Sequence, residues 1–383
     1  MRFVHIADLH LGKKIKSIRG DIELDFYNPI RQINQIIREF KPNFLFVSGD
    51  VFHYRNPSQD SEELFIEFLL NSYENVDYTF VISGNHDNTK KLSNIYLFNK
   101  YINRLSRKKI FIYTDLDLRK DVEEENLKPI SCDNVDIIMI PFIEYRSAIN
   151  AFYNIGVDKD FAYSFVHSTL ISKFLENSVN RIKILLGHMY LENSVLSGTE
   201  SKNFINPTYY VKYNDLDDRI VYCALGHVHR FQKIGPKNVF YSGSLIPLDF
   251  SENFDHGIIL GEIIDKFPKI SFEKLSYKEF MILQEDKDLF EKIEKNKDKY
   301  LKILYTSLSN EVLEKIIKFD NVLKIQKVDN TSFTMDRKND SVVITDAFDI
   351  LEMYRKYCEI EKREEVLPIL VNKVAEIERM VNA

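Results

Sequence analysis

The sequence feature that most constrains the fold is a short apolar run that ends in glycine and aspartate, at residues 44–50. Four apolar residues in succession are typical of a strand covered on both faces, and Gly49 allows a tight exit from it. This strand would deliver Asp50 to the edge of a sheet. The same arrangement recurs at residues 3–7, 78–84, 182–187 and 220–226. Because polar residues follow five predicted strands, we expect a site at the strand ends of an open α/β sheet.

The polar residues at these five positions are types that bind metal ions through oxygen or nitrogen. They are Asp8 and His10, then Asp50, then Asn85, His86 and Asp87, then His188, and finally His227 and His229. Together with His53, six of the nine histidines lie at or just beyond a strand end. The remaining three, His5, His167 and His256, fall inside strand or helix patterns, and we interpret them as structural.

Amphipathic helices alternate with these strands. The apolar spacing predicts helices at residues 28–40, 61–73 and 94–105, and further strands at residues 109–112, 135–142, 239–244 and 256–264. The alternation of strand, loop and helix predicts an α/β fold for residues 1–265.

The pattern changes after residue 265. We expect a strand at 270–275, a helix at 287–297, a strand at 300–305, a helix at 311–319 and a strand at 322–328, with no histidine among them. This small α/β unit, residues 266–330, is predicted to be a cap or substrate-orienting domain. A polar linker at residues 331–345 precedes a helical pair in residues 346–383. We expect the pair to dock on a partner's groove or coiled coil, with packing on the chain's own surface as the alternative.

The composition is that of a soluble globular protein. Hydrophobic residues make up 44% and charged residues 29%, and no apolar stretch approaches the roughly 18 residues of a membrane span. The chain starts with a strand-like segment, so we expect no signal peptide and a cytoplasmic location. Three widely separated cysteines predict neither a disulfide framework nor a zinc-binding pair, and we expect buried thiols.

The net charge of −6 argues against general electrostatic attraction to nucleic acid. Lysines nevertheless follow the first strand end, where Lys13 and Lys14 could contact an anionic substrate such as a nucleic acid. The alternative is that both are ordinary solvated lysines of the surface.

Seven strand-end residues form a predicted metal centre: Asp8, His10, Asp50, Asn85, His188, His227 and His229. Seven ligands are too many for a structural zinc ion, which takes four and usually includes cysteine. They suit two ions, because a carboxylate such as Asp50 can bridge two cations, and a pair of ions can bind both the attacking and the leaving oxygen of a phosphoryl group. The mixture of imidazole, carboxylate and amide favours manganese, iron or zinc over magnesium.

Three further residues are candidates for proton transfer. His86 lies between Asn85 and Asp87, and it could stabilise a transition state or protonate a leaving oxygen while Asp87 holds its ring. His53, three residues beyond Asp50, is a second candidate proton donor or phosphate contact.

The motifs Asp8-Leu9-His10, Gly49-Asp50, Gly84-Asn85-His86-Asp87, Gly187-His188 and Gly226-His227-Val228-His229 resemble, in order, the five motifs of calcineurin-like metallophosphoesterases. The resemblance implies a four-layer sandwich of two mixed sheets flanked by helices, with a dinuclear site at the strand ends. It also implies two ligand sets: Asp8, His10, Asp50 and His229 for one ion, and Asp50, Asn85, His188 and His227 for the other.

A narrower resemblance, to the SbcD-type nucleases of double-strand-break repair, lies in residues 7–12, 49–58, 224–230 and 241–250. It implies a manganese-dependent exonuclease and endonuclease acting on duplex ends and single strands, a homodimer, and a location at the nucleoid. It also implies a cap domain and a helical pair that binds an SbcC-type coiled-coil ABC ATPase. These nucleases usually carry an arginine after the second motif, and Arg55 is the candidate for this nucleic-acid contact.

Two other functions are weighed against a DNA end-processing nuclease. A phosphodiesterase for nucleotides or another small substrate would need neither the cap domain nor the helical tail. A non-catalytic scaffold with the same fold would be expected to have lost ligands, and none of the seven is missing. The sequence therefore favours the nuclease.

Overall fold

The computed structural model describes residues 1–95, 109–116, 127–152, 159–200 and 209–328, all within one compact unit of residues 1–328. Strands and helices are numbered in chain order. The first of two six-stranded sheets has four adjacent parallel strands: β1 (Arg2–Ile6), β4 (Phe44–Ser48), β5 (Tyr78–Ile82) and β6 (Lys109–Tyr113). Two antiparallel strands, β13 (Gly257–Ile264) and β14 (Phe267–Lys274), extend the sheet beyond β1.

The second six-stranded sheet is also mixed. Its four parallel strands are, in spatial order, β8 (Val135–Ile140), β9 (Ile182–His188), β10 (Tyr222–Gly226) and β12 (Val239–Tyr241). Short antiparallel strands, β7 (Ile130–Cys132) and β11 (Gln232–Ile234), form its two edges. The parallel strands read as continuous apolar runs because both of their faces are covered.

The two sheets pack face to face around a core rich in aromatic residues. The first sheet contributes Phe3, Phe44, Phe46 and Phe80, and the second contributes Ile137, Ile184 and Tyr222. Each fully buried phenylalanine stabilises the fold by roughly 1.5–3 kcal/mol. This layer therefore fixes the two sheets relative to each other, and with them the strand ends that carry the predicted site.

Helices cover the outer face of each sheet. Helices α1 (Tyr27–Phe40) and α2 (Gln59–Asn75) pack on the first sheet, where Ile30, Ile33 and Ile37 form the buried stripe of α1. Helices α3 (Tyr145–Phe152) and α4 (Lys159–Glu176) pack on the second. The layers are thus helix, sheet, sheet and helix, which confirms the predicted four-layer α/β sandwich.

A smaller unit follows the second sheet. Its three parallel strands are β15 (Phe280–Gln284), β16 (Tyr300–Tyr305) and β17 (Val322–Lys327), with helices α5 (Leu289–Lys295) and α6 (Asn310–Ile316). It has its own apolar core, formed by Leu289, Ile293, Leu301, Ile303, Ile316 and Val322. The four elements predicted between residues 287 and 328 are confirmed, and β15 is an additional strand.

One predicted strand belongs to a different sheet from the one expected. Residues 270–275 were assigned to the small unit, but β14 pairs with β13 over its whole length, from Phe267 opposite Ile264 to Lys274 opposite Gly257. The placement was wrong because β14 alternates half-buried and exposed residues, a pattern common to edge strands of any sheet. The domain boundary at residue 265 stays a prediction.

A hairpin next to the first strand end connects the large sheets with the small unit. Strands β2 (Lys14–Ser17) and β3 (Gly20–Glu23) form it, and the sequence pattern did not predict either. At its turn, the guanidinium of Arg19 donates hydrogen bonds of 2.6–2.9 Å to three carbonyl oxygens between Ile317 and Val322. The hairpin therefore attaches the small unit close to the segment that carries Asp8 and His10.

Several remaining sequence predictions concern a helix, the C-terminal segments, the cysteines and membrane spans. Of the helix expected at residues 94–105, residues 96–105 lie outside the described residues, as do the expected linker at 331–345 and helical pair at 346–383. Cys132 and Cys223 are buried and free, as expected, whereas Cys358 is not among the described residues. In the described ranges no helix is long and apolar enough to cross a bilayer.

The three histidines interpreted as structural are all buried. His5 Nδ1 lies 3.0 Å from the hydroxyl of Tyr222, and His167 Nδ1 donates to the carbonyl oxygen of Tyr163, four residues earlier in α4, at 2.8 Å. His256 Nδ1 lies 3.0 Å from the hydroxyl of Ser244.

Replacing His167 with glutamine is expected to reduce the sensitivity of the fold to mild acid. Burial lowers the pKa of His167 from 6.5 to about 4, although the hydrogen bond to Tyr163 opposes the shift. Protonation therefore favours the unfolded chain, so the stabilising contribution is complete above pH 6.5 and is lost as the pH falls towards 4. At about pH 5 the free energy of unfolding of the wild type should be about 2 kcal/mol lower than at neutral pH because of this residue.

This prediction is checked by urea denaturation at about pH 7.5 and about pH 5, with a chelator present so that metal binding does not contribute. The free energy of unfolding of the variant should change less between the two pH values than that of the wild type. Equal changes in the two proteins would show that His167 does not stay neutral in the folded state.

Candidate metal centre

The ends of five strands meet where the edges of the two large sheets face each other. In the first sheet the parallel register brings the ends of β1, β4 and β5 side by side. In the second sheet, Gly226 at the end of β10 is paired with His188 at the end of β9. Ser48 connects the two edges, because its hydroxyl donates to the carbonyl oxygen of Ala224 at 2.9 Å and its own carbonyl oxygen accepts from His188 Nδ1 at 2.8 Å.

The structure brings all seven predicted ligands into one connected cluster. His10 Nε2 lies 3.1 Å from His229 Nε2, and Asp50 Oδ2 lies 3.7 Å from His10 Nε2 and 3.5 Å from His188 Nε2. The amide oxygen of Asn85 lies 3.1 Å from His188 Nε2 and 2.9 Å from His227 Nδ1. Asp8 joins the cluster through groups of mutually close ligand atoms, one with His10 and His229 and one with Asp50 and His188.

The backbone is strained at four of these seven residues. Asp8, His10, Asp50 and His227 have φ angles of 50°, 47°, 49° and 97°, in the left-handed region that few residues other than glycine adopt. Each such residue costs on the order of 1–3 kcal/mol, and strain of this kind concentrates at functional sites. Hydrogen bonds between these turns stabilise the strained conformations. The N–H of His10 donates to the carbonyl oxygen of Asp50 at 2.9 Å, and the N–H of His227 donates to Asp8 Oδ1 at 2.9 Å.

Gly84 allows the loops to approach one another so closely. A Cβ atom at this position would overlap both the backbone nitrogen and the carboxylate of Asp50. The glycine before Asn85 is therefore required by the packing of the third strand end against the second.

The two buried carboxylates of the cluster favour the binding of cations. Asp8 and Asp50 are almost completely buried, and in the described ranges no lysine or arginine forms an ion pair with either. Burial raises the pKa of Asp8 to about 6, although neighbouring imidazoles oppose the shift. Burial also opposes ionisation of Asp50, but His188 and other imidazoles outweigh it and hold the pKa of Asp50 well below its ordinary value.

Protons on the imidazoles balance these carboxylates. Burial lowers the pKa of His188, but Asp50 and Asp8 outweigh it and raise the pKa to about 9. A divalent cation bound at the cluster would replace such protons. Two buried carboxylates, four imidazoles and an amide oxygen with converging lone pairs therefore fit divalent metal ions, and they fit manganese, iron or zinc better than magnesium.

Hydrogen bonds away from the cluster determine which ring nitrogen faces it. His188 Nδ1 donates to the carbonyl oxygen of Ser48, so its Nε2 is the nitrogen directed at the cluster. His229 and His10 also present Nε2, whereas His227 presents Nδ1 towards Asn85. Three imidazoles thus offer Nε2 and one offers Nδ1.

His53 and His86 lie beside the cluster. Their rings are stacked with centroids 5.1 Å apart, and His86 Nδ1 donates to the carbonyl oxygen of His53 at 2.8 Å. His53 Nδ1 lies 3.2 Å from His10 Nδ1, and burial followed by the charge of Lys13 lowers the pKa of His53 to about 3. Both rings are partly exposed, so a substrate can reach them.

The expected contact between Asp87 and the ring of His86 is wrong. Both oxygens of Asp87 accept from backbone N–H groups instead: Oδ2 from Gly84 at 2.8 Å and Val51 at 3.1 Å, and Oδ1 from Phe52 at 2.9 Å. The reason is that the buried N–H groups of two loops need acceptors, and Asp87 lies between them. Asp87 thus joins the loops that carry Asp50 and Asn85, while the carbonyl of His53 orients His86.

The three predicted nucleic-acid contacts differ in position. Lys13 is half-buried, and its Nζ lies 3.1 Å from His53 Nε2 at the edge of the cluster. Lys14 is exposed on β2 and lies 3.8 Å from the carboxylate of Glu23. Arg55 is exposed two residues beyond His53. Of the three, Lys13 is the one that the structure brings to the site.

The sequence pattern missed three residues that contact the cluster from behind. Glu252 and Thr199 both reach His229 Nδ1, at 3.1 and 2.7 Å, and Glu200 accepts from the N–H of His229 at 3.1 Å. All three come from loops without a strand-end pattern. Their positions could not be predicted from the apolar periodicity that indicated the seven candidate ligands.

Comparison with known proteins identifies the family. The family model for calcineurin-like phosphoesterases matches residues 1–231, which include all seven predicted ligands. The chain belongs to the calcineurin-like phosphoesterase family. The family implies hydrolysis of phosphoesters with divalent metal ions, and the donor set of the cluster agrees with such ions.

This phosphoesterase is similar to two curated proteins that are named as a component of the nuclease SbcCD. The one from Staphylococcus epidermidis is 26% identical over 261 residues, which cover 66% of this chain and 63% of the relative. The one from Staphylococcus saprophyticus is 26% identical over 265 residues, with coverages of 66% and 62%. The chain thus aligns with less than two thirds of the length of either relative.

Two solved structures are also similar to this phosphoesterase. A dimetal phosphatase from Danio rerio has a TM-score of 0.39 and 10% identity, covering 73% of this chain and 99% of that one. GAP50 of Plasmodium, described as an anchor in the inner membrane complex, has a TM-score of 0.36 and 13% identity, covering 86% and 98%.

Proposed function

We propose that this phosphoesterase is a DNA nuclease that processes DNA ends in double-strand-break repair by two-metal hydrolysis of phosphodiesters. The observation that carries the proposal is the convergence of seven buried or half-buried ligands from five strand ends, with two further imidazoles at the exposed side of the cluster. The curated relatives named as components of the nuclease SbcCD support DNA as the substrate. We propose both exonuclease and endonuclease activity, on duplex ends and single strands.

In this proposal the cluster would hold two divalent ions, most simply manganese, which would supply Lewis acidity and neutralise charge on the phosphoryl oxygens. Asp8, His10, Asp50 and His229 would hold one ion, and Asp50, Asn85, His188 and His227 the other. Asp50 would be the shared ligand, because its Oδ2 lies within 3.7 Å of imidazoles from both sets.

His86 is proposed to deliver a proton to the leaving oxygen. Its Nδ1–H donates to the carbonyl oxygen of His53, so the ring is held while Nε2 faces away from that bond. The N–H of His86 donates to Asp50 Oδ1 at 2.8 Å, and this bond fixes the residue relative to the shared ligand. A proton on Nε2 can therefore be transferred without loss of the ring's orientation.

His53 and Lys13 are proposed to bind the substrate phosphate. Their polar atoms lie 3.1 Å apart at the edge of the cluster, and a lysine ammonium is a common phosphate contact. Arg55 and Lys14 are exposed, and we assign them to contacts with the backbone of a longer strand. The small unit at residues 280–327 is proposed to act as a cap that orients DNA.

Partners are proposed from the relatives alone. A nuclease of the SbcD type would bind an SbcC-type coiled-coil ABC ATPase, and we assign this contact to the predicted helical pair in residues 346–383. We also propose a homodimer. Both are tested by size-exclusion chromatography with light scattering, alone and with the ATPase's coiled-coil segment.

The proposed activity is tested with end-labelled linear duplex DNA and manganese, with His86→Gln as the control. We expect labelled product to be released over time, and to depend on both manganese and His86. Turnover of bis-p-nitrophenyl phosphate without cleavage of DNA would contradict the nuclease and favour a small-molecule phosphodiesterase. Absence of both activities, with the ATPase added, would favour a scaffold.

A further inference from the structure

A buried carboxylate lies directly behind one of the proposed metal ligands. Glu252, in the segment between β12 and β13, places Oε1 3.1 Å from Nδ1 of His229, and its side chain is completely buried. Its other oxygen, Oε2, accepts from the N–H of Leu248 at 2.8 Å. The carboxylate is therefore held in one orientation before any ion is bound.

The neighbours of Glu252 decide which nitrogen of His229 carries the proton. The hydroxyl of Thr199 donates to Glu252 Oε1, and its oxygen lies 2.7 Å from the same Nδ1. Because the hydroxyl hydrogen is used on the carboxylate, both groups near Nδ1 act as acceptors. Nδ1 of His229 must then carry a hydrogen, so Nε2, which lies 3.1 Å from His10 Nε2, is the nitrogen left to bind an ion.

The corresponding imidazole in the other ligand set has a different partner. His188 Nδ1 donates to the carbonyl oxygen of Ser48, a neutral acceptor. A carboxylate behind an imidazole makes its second nitrogen a stronger ligand than a carbonyl does, because the negative charge favours the form that donates electron density to the metal. The two halves of the cluster are therefore unequal.

We infer that Glu252 is a positioning residue that fixes the ring and tautomer of His229 and thereby strengthens the ion site containing Asp8, His10 and His229. The inference rests on the proposed metal centre but not on DNA as the substrate. Loss of the Glu252 charge is expected to weaken one of the two metal sites and to leave the site with His188 and His227 unchanged.

The test is a manganese titration of the full chain, monitored by calorimetry and by electron paramagnetic resonance of free manganese. In the wild type we expect two sites. In Glu252→Gln one site should lose about 10- to 100-fold in affinity, the usual effect of removing a group that orients a ligand, and the other should keep its affinity. Equal weakening of both sites, or of neither, would overturn the inference.

A matched control separates this effect from general loss of a buried charge. Asp136 is also a fully buried carboxylate, and it accepts hydrogen bonds from Ser131, Val179 and Asn180 near the start of β8, at the opposite end of that strand from the metal centre. Asp136→Asn should reduce the free energy of unfolding but leave both manganese affinities unchanged. A loss of manganese affinity in this control would assign the Glu252 effect to stability alone.

A second measurement needs no variant at Glu252. Nitrogen-15 spectra of the histidine rings with zinc bound should show His229 protonated at Nδ1, with the resonance assigned by its loss in His229→Gln. Protonation at Nε2 would overturn the inference even if Glu252→Gln failed to fold. A wild type that binds fewer than two ions would overturn the proposed metal centre as well, whereas two ions without DNA cleavage would contradict the nuclease alone.

Discussion

Replacing Asp50 with asparagine is expected to abolish hydrolysis and to remove both metal ions. Asp50 is 2% exposed, and its Oδ2 lies between His10 and His188, one from each proposed ligand set. Asparagine keeps the shape but loses the charge and one oxygen, so neither ion retains its shared ligand. We expect kcat to fall on the order of 10⁴-fold or more, as when a member of a cooperative catalytic unit is removed.

This prediction is checked by measuring manganese stoichiometry and single-turnover hydrolysis on the same protein sample. The metal-free variant should have a lower free energy of unfolding than the wild type, because the imidazoles that hold the pKa of Asp50 well below its ordinary value favour its charged form in the folded chain. Asp136→Asn again serves as the control for a buried carboxylate. Retention of two ions by Asp50→Asn would contradict the assignment of Asp50 as the shared ligand.

Replacing His86 with glutamine should reduce hydrolysis about 10²- to 10⁴-fold while both ions remain bound. His86 is partly exposed, and in the proposed assignment it transfers a proton instead of binding metal. The size of the loss should depend on the leaving group. An alkoxide leaving from DNA needs a proton, whereas p-nitrophenolate leaves readily without one, so the variant should be impaired far less on bis-p-nitrophenyl phosphate.

The measurement is a comparison of kcat on the two substrates for the wild type and the variant, with manganese saturating. A loss of equal size on both substrates would assign His86 to phosphate binding instead of proton transfer. His53→Gln provides the comparison, because a phosphate contact is expected to raise KM on both substrates alike.

The cluster of seven candidate ligands could be predicted from sequence because its members lie at the ends of five buried strands. An apolar run such as residues 44–48 predicts a strand, and the carboxyl ends of parallel strands meet at one edge of a sheet. The structure pairs β1 with β4 and so places Asp50 beside Asp8. A glycine at position 84 is also consistent with the close approach of the loop after β5 to Asp50.

The positions of Glu252 and Asp87 could not be predicted in this way. Glu252 reaches His229 across 23 residues from a loop, and Asp87 binds backbone N–H groups 35 and 36 residues earlier in the chain. A buried carboxylate in a loop has no periodic pattern, and its partners are fixed by the packing of distant segments. Strand β14 was misplaced for a different reason, because its alternating pattern fits an edge of either sheet.

The strand ends are proposed to form a dinuclear metal centre in which Asp50 is the shared ligand. Anomalous scattering from crystals grown with manganese would locate the ions without reference to any activity. Two peaks are expected among the seven strand-end residues, with Asp50 contacting both and Glu252 contacting neither. A single peak, or two peaks of which only one contacts Asp50, would contradict the dinuclear centre.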